Sequence, residues 1–287
     1  MYSTPWMSDL VVGTMRWGVW GANFTTAQYE AIIEAALEEG LTTFDHADIY
    51  GGHTTEAEFG AALKLHPEWR EQMELVTKCG IIQVCEQKPS HYVKAYDFTK
   101  AHILQSTEDS LRQLQTDYID VMLLHRPDVL MDPDEVAEAF ELLYRSGKVR
   151  SFGVSNFTPS QVRLFQTAAP IGVHQLEVSL KDVSAFDDGR LDQCTAENIV
   201  PMSWSPLGGG ELPAAVMTLL EKHAVQWEVT PQAVALAWIM QHPSGILPVL
   251  GTSKIDRLKE AKAALNLTFD RQQWYELYQA ATGKRLP

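Results

Sequence analysis

Short, β-rich apolar runs recur along this chain, each separated from the next by a longer stretch whose apolar residues fall at helical spacing. No other feature limits the fold as severely. The runs lie at 9–15, 42–46, 75–78, 118–125, 148–155, 172–177, 200–205 and 246–251. Between the first two, Tyr29, Ile32, Ile33, Ala36 and Leu37 form one helical stripe. Thr25 and Gln28 are placed to make a capping box, and Gly40 marks the stop. Further helices are predicted over 100–115, from Pro133 to Gly147, from Pro159 onward, over 191–198, from Pro231 to His242, and within 266–287. Strands that alternate with helices build parallel sheets with the helices outside. Eight such strands in 287 residues predict an α/β fold of the (β/α)8 TIM-barrel type, with 1–287 as a single domain. Two polar stretches exceed a minimal barrel, 80–96 and 181–190. Each follows the C-terminal end of a strand, so each is expected over the barrel mouth, where active sites sit.

The net charge of −14 repels a polyanion at long range, so no nucleic-acid partner is expected. Cys79, Cys85 and Cys194 are odd in number and lack metal-ligand spacing, which argues against a disulfide framework and a zinc site. The N-terminal MYSTPWMSDL has no basic-then-apolar leader pattern, and no apolar run approaches the ~18 residues of a membrane helix. A soluble cytoplasmic protein is therefore expected. A monomer is favoured because no long exposed apolar helix is evident.

Reactive side chains recur where successive strands end. Asp45 and Tyr50 follow the second, Lys78 ends the third, His125 the fourth, and Ser155 and Asn156 the fifth. Gln175 lies in the sixth, Trp204 and Ser205 end the seventh, and residues 251–257 follow the eighth. In a barrel these positions converge on one rim. Each also has a plainer interpretation. Tyr50 in DIYGG reads as a turn tyrosine, Asp45 and Lys78 as a buried ion pair, and His125 as a satisfied core histidine. The run Gly208-Gly209-Gly210 reads as a flexible linker. Their joint placement at one end is what points to chemistry.

The segments FDHADIYGG, VTKCG, LLHRPD, SGKVRSFGVSNF, HQLEVS, SWSPLGGG and PVLGTSKIDRL together resemble the aldo-keto reductase superfamily over nearly the whole chain. Within it, DHADIYGG and LLHRPDVLMDPDEVAEAF are most similar to the bacterial YdhF-like oxidoreductases. The resemblance implies NADPH-dependent, reversible reduction of aldehydes and ketones. Tyr50 would be the general acid, Lys78 would lower its pKa, Asp45 would pair with Lys78, and His125 would place the carbonyl oxygen. NADP(H) would be the cofactor, with no metal. Thr14 and Met15 would flank it, together with Asp45. Ser155, Asn156 and Gln175 would hold the carboxamide, and Trp204 would stack on the nicotinamide. Ser205, Leu207 and Gly209 would lie along the pyrophosphate, and Gly251, Thr252, Ser253, Lys254 and Arg257 along the adenosine end. There is no GxGxxG after a strand, so a Rossmann site is not indicated. Two cations and two hydroxyls within 252–257 suit a 2′-phosphate, although the same residues also make an ordinary solvated helix start. One position departs from the pattern: Ala261 stands where many relatives carry an asparagine near the adenine.

A small carbonyl compound is the expected partner. Trp17, Trp20, Tyr92, Tyr96 and Phe186 are candidate pocket walls or, equally, packing residues. Two competing assignments remain. One is a cofactor-binding regulatory or redox-sensing subunit of the same fold with little turnover. The other is an unrelated barrel hydrolase, which would need a metal cluster or a close carboxylate pair that the strand ends do not offer.

Overall fold

The segment IDVMLL, Ile119–Leu124, is apolar on both faces but for Asp120, and every one of its residues is buried. Such a strand belongs in a parallel sheet covered by helices outside and packed side chains inside. The computed structural model, which describes residues 6–166 and 168–286, shows that architecture. Residues 1–5 of the segment inspected for a leader lie outside it. Eight parallel strands close into a barrel: β1 Val11–Gly13, β2 Thr43–Asp45, β3 Glu74–Cys79, β4 Ile119–Leu124, β5 Val149–Ser155, β6 Val173–Glu177, β7 Val200–Trp204 and β8 Leu247–Leu250. Neighbours in sequence are neighbours in the barrel, and β8 returns to β1 through Val11 opposite Val249. The (β/α)8 expectation holds.

Ten helices are described: α1 Thr26–Glu38, α2 Thr55–Leu65, α3 Lys100–Leu114, α4 Pro133–Arg145, α5 Pro159–Gln166, α6 Arg190–Glu197, α7 Ala214–Trp227, α8 Pro231–Met240, α9 Ile255–Ala261 and α10 Arg271–Thr282. The predicted cap of α1 forms, with the Gln28 side chain accepting from the Thr25 N–H at 2.9 Å. Helices α2 and α7 were not expected, and α9 was foreseen only as the plainer reading of 252–257. The inner face of α2 carries Thr55, Glu56 and Gly60, which hides its amphipathic signal. Gly60 is needed there because α2 presses on α3, and an added Cβ would sit 1.9 Å from the Gln113 carbonyl oxygen. The stretch 80–96, expected to be irregular, contains a small antiparallel hairpin, Ile81–Ile82 against Ala95–Tyr96. No helix among the described residues is long and apolar enough to cross a membrane.

The barrel interior positions the site. Val11, Val76, Val121, Leu123, Val173, Met202 and Val249 fill its lower part. Side chains two residues apart on a strand share a face. Lys78, two beyond Val76, and Gln175, two beyond Val173, therefore continue into the same interior and cap the apolar layers with polar groups.

Candidate active site

Burying an ammonium without a counter-charge costs several kcal/mol. Lys78 is fully buried, so the sequence must bring it a carboxylate. Asp45, at the end of β2, supplies one. Lys78 Nζ lies 2.8 Å from both Asp45 oxygens and donates to the His46 carbonyl at 2.7 Å. From across the barrel, Gln175 Nε2 donates to Asp45 Oδ1 at 2.8 Å. The last Lys78 contact is to the Tyr50 hydroxyl oxygen, at 3.2 Å. Because Tyr50 accepts that bond, its own hydrogen remains uncommitted among the described residues.

Tyr50 is placed by a tight turn hung on the end of β3. Its N–H bonds to the Ala47 carbonyl, and the Asp48 N–H to the Lys78 carbonyl, each at 3.0 Å. Gly51 follows at φ 62°, and an added Cβ there would meet Thr55 Oγ1 at 2.5 Å. His125 stands edge-on to the Tyr50 ring, 6.2 Å between centroids, and its backbone N–H donates to the Cys79 carbonyl. Its Nδ1 is buried without a partner among the described residues. The four residues expected to act together thus meet at the C-terminal end of the barrel.

The electrostatics differ from expectation at one point. Burial raises the Tyr50 phenol above its ordinary value of 10.0, and the Lys78 charge pulls against this without prevailing. The expected net lowering is therefore reversed, because a fully enclosed phenolate loses more to desolvation than one already neutralised ammonium returns. Burial also opposes the Lys78 charge, but Asp45 and then Tyr50 outweigh it and hold the ammonium. Burial, then Lys78 and Arg126, push His125 well below 6.5, which leaves a neutral imidazole able to donate one N–H. Beneath the site, burial and the neighbouring Glu56 carboxylate raise Asp48 to about 8, and burial raises Glu56 to about 7.

The other half of the rim holds the residues expected to meet a cofactor. The Trp204 indole is oriented by its Nε1–H, which donates to Asn156 Oδ1 at 2.9 Å, and Asn156 Nδ2 donates to Ser155 Oγ at 2.7 Å. Asn156 and Ser205 both adopt left-handed backbone, at φ 63° and 49°. Such conformations in non-glycine residues concentrate at binding sites. Gly209 and Gly251 are exposed, and an added Cβ at either would meet open space. Lys254 and Arg257 are exposed, and neither makes an ion pair among the described residues. Open Gly251, followed by the hydroxyls of Thr252 and Ser253 and by two uncommitted cations, is a donor set that suits a phosphorylated dinucleotide.

Two expected cofactor neighbours sit differently. Thr14 is fully buried, with its hydroxyl bonded to the Asp45 carbonyl and to His46 Nδ1, each at 3.0 Å, so its side chain belongs to the barrel wall. Met15 is exposed beside it. Leu207 packs partly into the helical layer, and Ala261 is buried in the core.

Of the pocket-wall candidates, Trp20 lies 6.2 Å from Tyr50, centroid to centroid, and lines the mouth. Tyr96 is partly exposed on the hairpin, and Tyr92 is 92% exposed. Trp17 is not a wall: it is fully buried among Phe24, Tyr29, Phe44 and Phe59, with its Nε1–H on the Thr252 carbonyl. Phe186 is not one either, since it packs on Trp238, His242 and Trp274. Arg126 also reaches the Trp204 ring and had no expected role, although its position directly after His125 at a strand end was the available signal.

Residues 9–281 match the Aldo/keto reductase family. The chain is 44% identical to Oxidoreductase YdhF of Escherichia coli, covering 99% of this chain and 96% of that one. It is 43% identical to a 6-dehydroglucose reductase of Agrobacterium fabrum, covering 98% and 96%. Among solved structures it is similar to an aldo/keto reductase of Klebsiella pneumoniae in complex with NADP and acetate. That likeness has a TM-score of 0.80 and 26% identity, covering 95% of this chain and 91% of the other.

Proposed function

Since the chain belongs to the aldo/keto reductase family, we propose that it reduces aldehydes or ketones to alcohols with NADPH, reversibly, with Tyr50 as the proton donor. One observation carries the proposal. The Tyr50 oxygen accepts from an ammonium that Asp45 holds charged, which leaves its O–H free to donate at the mouth of the barrel.

Bound NADPH would supply the hydride to the carbonyl carbon. The chain's own groups then meet the charge that develops on the carbonyl oxygen. His125 holds that oxygen through its neutral N–H, and Tyr50 passes its proton to it. Lys78 stabilises the phenolate left behind, and Asp45 with Gln175 keeps Lys78 in place. These donors are fixed before reaction in a buried site, where preorganised charge counts for most. A raised Tyr50 pKa keeps the phenol protonated for reduction. Ser155, Asn156 and Gln175 would hold the carboxamide, and Trp204 would back the nicotinamide. Thr252, Ser253, Lys254 and Arg257 would take the 2′-phosphate. The Klebsiella structure in complex with NADP supports the cofactor. All three cysteines are unpaired, which suits a reducing compartment such as the cytoplasm.

The test is NADPH consumption with a panel of aryl aldehydes, dicarbonyls and oxidised sugars, the last chosen for the Agrobacterium relative. Steady turnover of at least one class is expected. Tight NADPH binding without turnover of any would favour the regulatory subunit instead.

A further inference from the structure

Arg126 has no part in the reaction as described, yet its guanidinium lies over the site. The backbone that carries it is fixed. Pro127 restricts φ after it, and the Asp128 carboxylate accepts from the Leu130 N–H at 2.8 Å and the Phe98 N–H at 3.3 Å. From the end of β4 the side chain reaches across the mouth to β7, where Cζ lies 5.3 Å from the Trp204 ring centroid. Its charge acts on Tyr50, His125 and Glu177.

What the guanidinium lacks is an acceptor. It is half-buried, and among the described residues it makes no ion pair and donates no hydrogen bond. Glu177 is within range of its field but not within 4.0 Å. Arginine presents five donors in a rigid planar fork and accepts nothing. The Trp204 face can satisfy the cation but not the in-plane N–H groups. Lys94 adds a second positive charge acting on His125, so the local field opposes the overall charge of −14.

We infer that Arg126 determines acceptor specificity by binding an oxygen substituent, hydroxyl or carboxylate, on a carbon next to the reacting carbonyl. The inference rests on the reductase proposal and adds the substrate class to it. A plain aryl aldehyde held by Tyr50 and His125 offers the fork nothing. A hydroxyaldehyde or an oxo acid offers an acceptor within one or two bonds of the carbonyl. The two sources of that oxygen differ in charge, and Glu177 disfavours the charged one, so they separate experimentally.

The experiment compares kcat/KM for benzaldehyde, glyceraldehyde and glyoxylate in the wild type, Arg126→Lys and Arg126→Met, with KM for NADPH measured in each. Arg126→Met is expected to lose about 30-fold or more on an oxygenated substrate, the scale of a hydrogen bond to a charged group. On benzaldehyde the loss should be no more than ~3-fold, with KM for NADPH unchanged. Arg126→Lys, which keeps the charge and loses the fork, should fall between. A larger loss on glyoxylate assigns the carboxylate, and a larger loss on glyceraldehyde assigns the hydroxyl. Equal losses on all three substrates, or losses that follow a raised KM for NADPH, would overturn the inference while leaving the reductase proposal standing. No wild-type turnover of any carbonyl would overturn both.

Discussion

The barrel buries an ion pair at each end, and the two are built to opposite purposes. At the N-terminal end, Asp120 accepts from Arg70 at 2.7 Å, from Arg150 at 2.9 Å and from the Leu75 N–H at 2.9 Å. Arg70 also donates to Thr116 Oγ1 and to the carbonyls of Met73 and Tyr118. Both guanidinium groups lie 3.7 Å from the Tyr118 ring centroid, so the cluster closes on itself. At the C-terminal end, Asp45 and Lys78 are as deeply buried, but their network runs outward and finishes on a phenol with an uncommitted hydrogen. Burial and charge pairing are shared. What separates a fastening from a reactive site is whether the last donor in the chain has somewhere to go. That matches the general division of such barrels into a stabilising face and a catalytic face.

The sharpest way to break the comparison is Arg70→Met. This substitution leaves Asp120 with Arg150 and the Leu75 N–H, so the expected cost is the loss of one hydrogen bond to a charged group, about 1.5–3 kcal/mol, and not the larger penalty of a stranded charge. The urea midpoint should fall accordingly, while turnover per folded molecule stays near wild type. A large loss of turnover at full folding would show that the two ends are coupled. Arg257→Ala tests the exposed margin of the catalytic face. KM for NADPH is expected to rise about 10-fold while that for NADH changes by less than ~2-fold, because one charge-assisted contact to phosphate is lost. Equal weakening of both would remove the 2′-phosphate assignment.

The smallest expected effect is in the pH profile, and it is an absence of change. His125 is held well below 6.5, so its imidazole is neutral throughout neutral pH and no step should appear near 6.5. The Tyr50 phenol is raised above 10.0, so reduction should decline only as alkaline pH removes its proton. A fall in kcat/KM centred near 6.5 that persists in Glu56→Gln, which removes the other group titrating near 7, would show a histidine gaining charge within the working range.

Strands such as Ile119–Leu124 were legible because they are short, apolar and followed by a polar residue, here His125. Lys78 was legible because a lysine ending a buried strand requires an anion. Other features depend on partners far away in sequence. Helix α2 buries Glu56, an improbable core residue until Thr77 and Ser110 are seen donating to it. Trp17 reads as a loop aromatic until the loop folds inward onto Phe44 and Phe59. The sign of the Tyr50 shift could not be read from Lys78 alone, because it depends on how completely the fold excludes water. Arg126 was visible as a residue, but its missing acceptor is a property of the folded mouth.

The central claim is that Tyr50 donates the proton. Single-turnover reduction of a preferred aldehyde at saturating NADPH, wild type against Tyr50→Phe, tests it most directly. Hydride transfer should slow by at least ~10²-fold, with NADPH affinity and the urea midpoint unchanged. A variant that transfers hydride within ~3-fold of the wild-type rate would contradict the account.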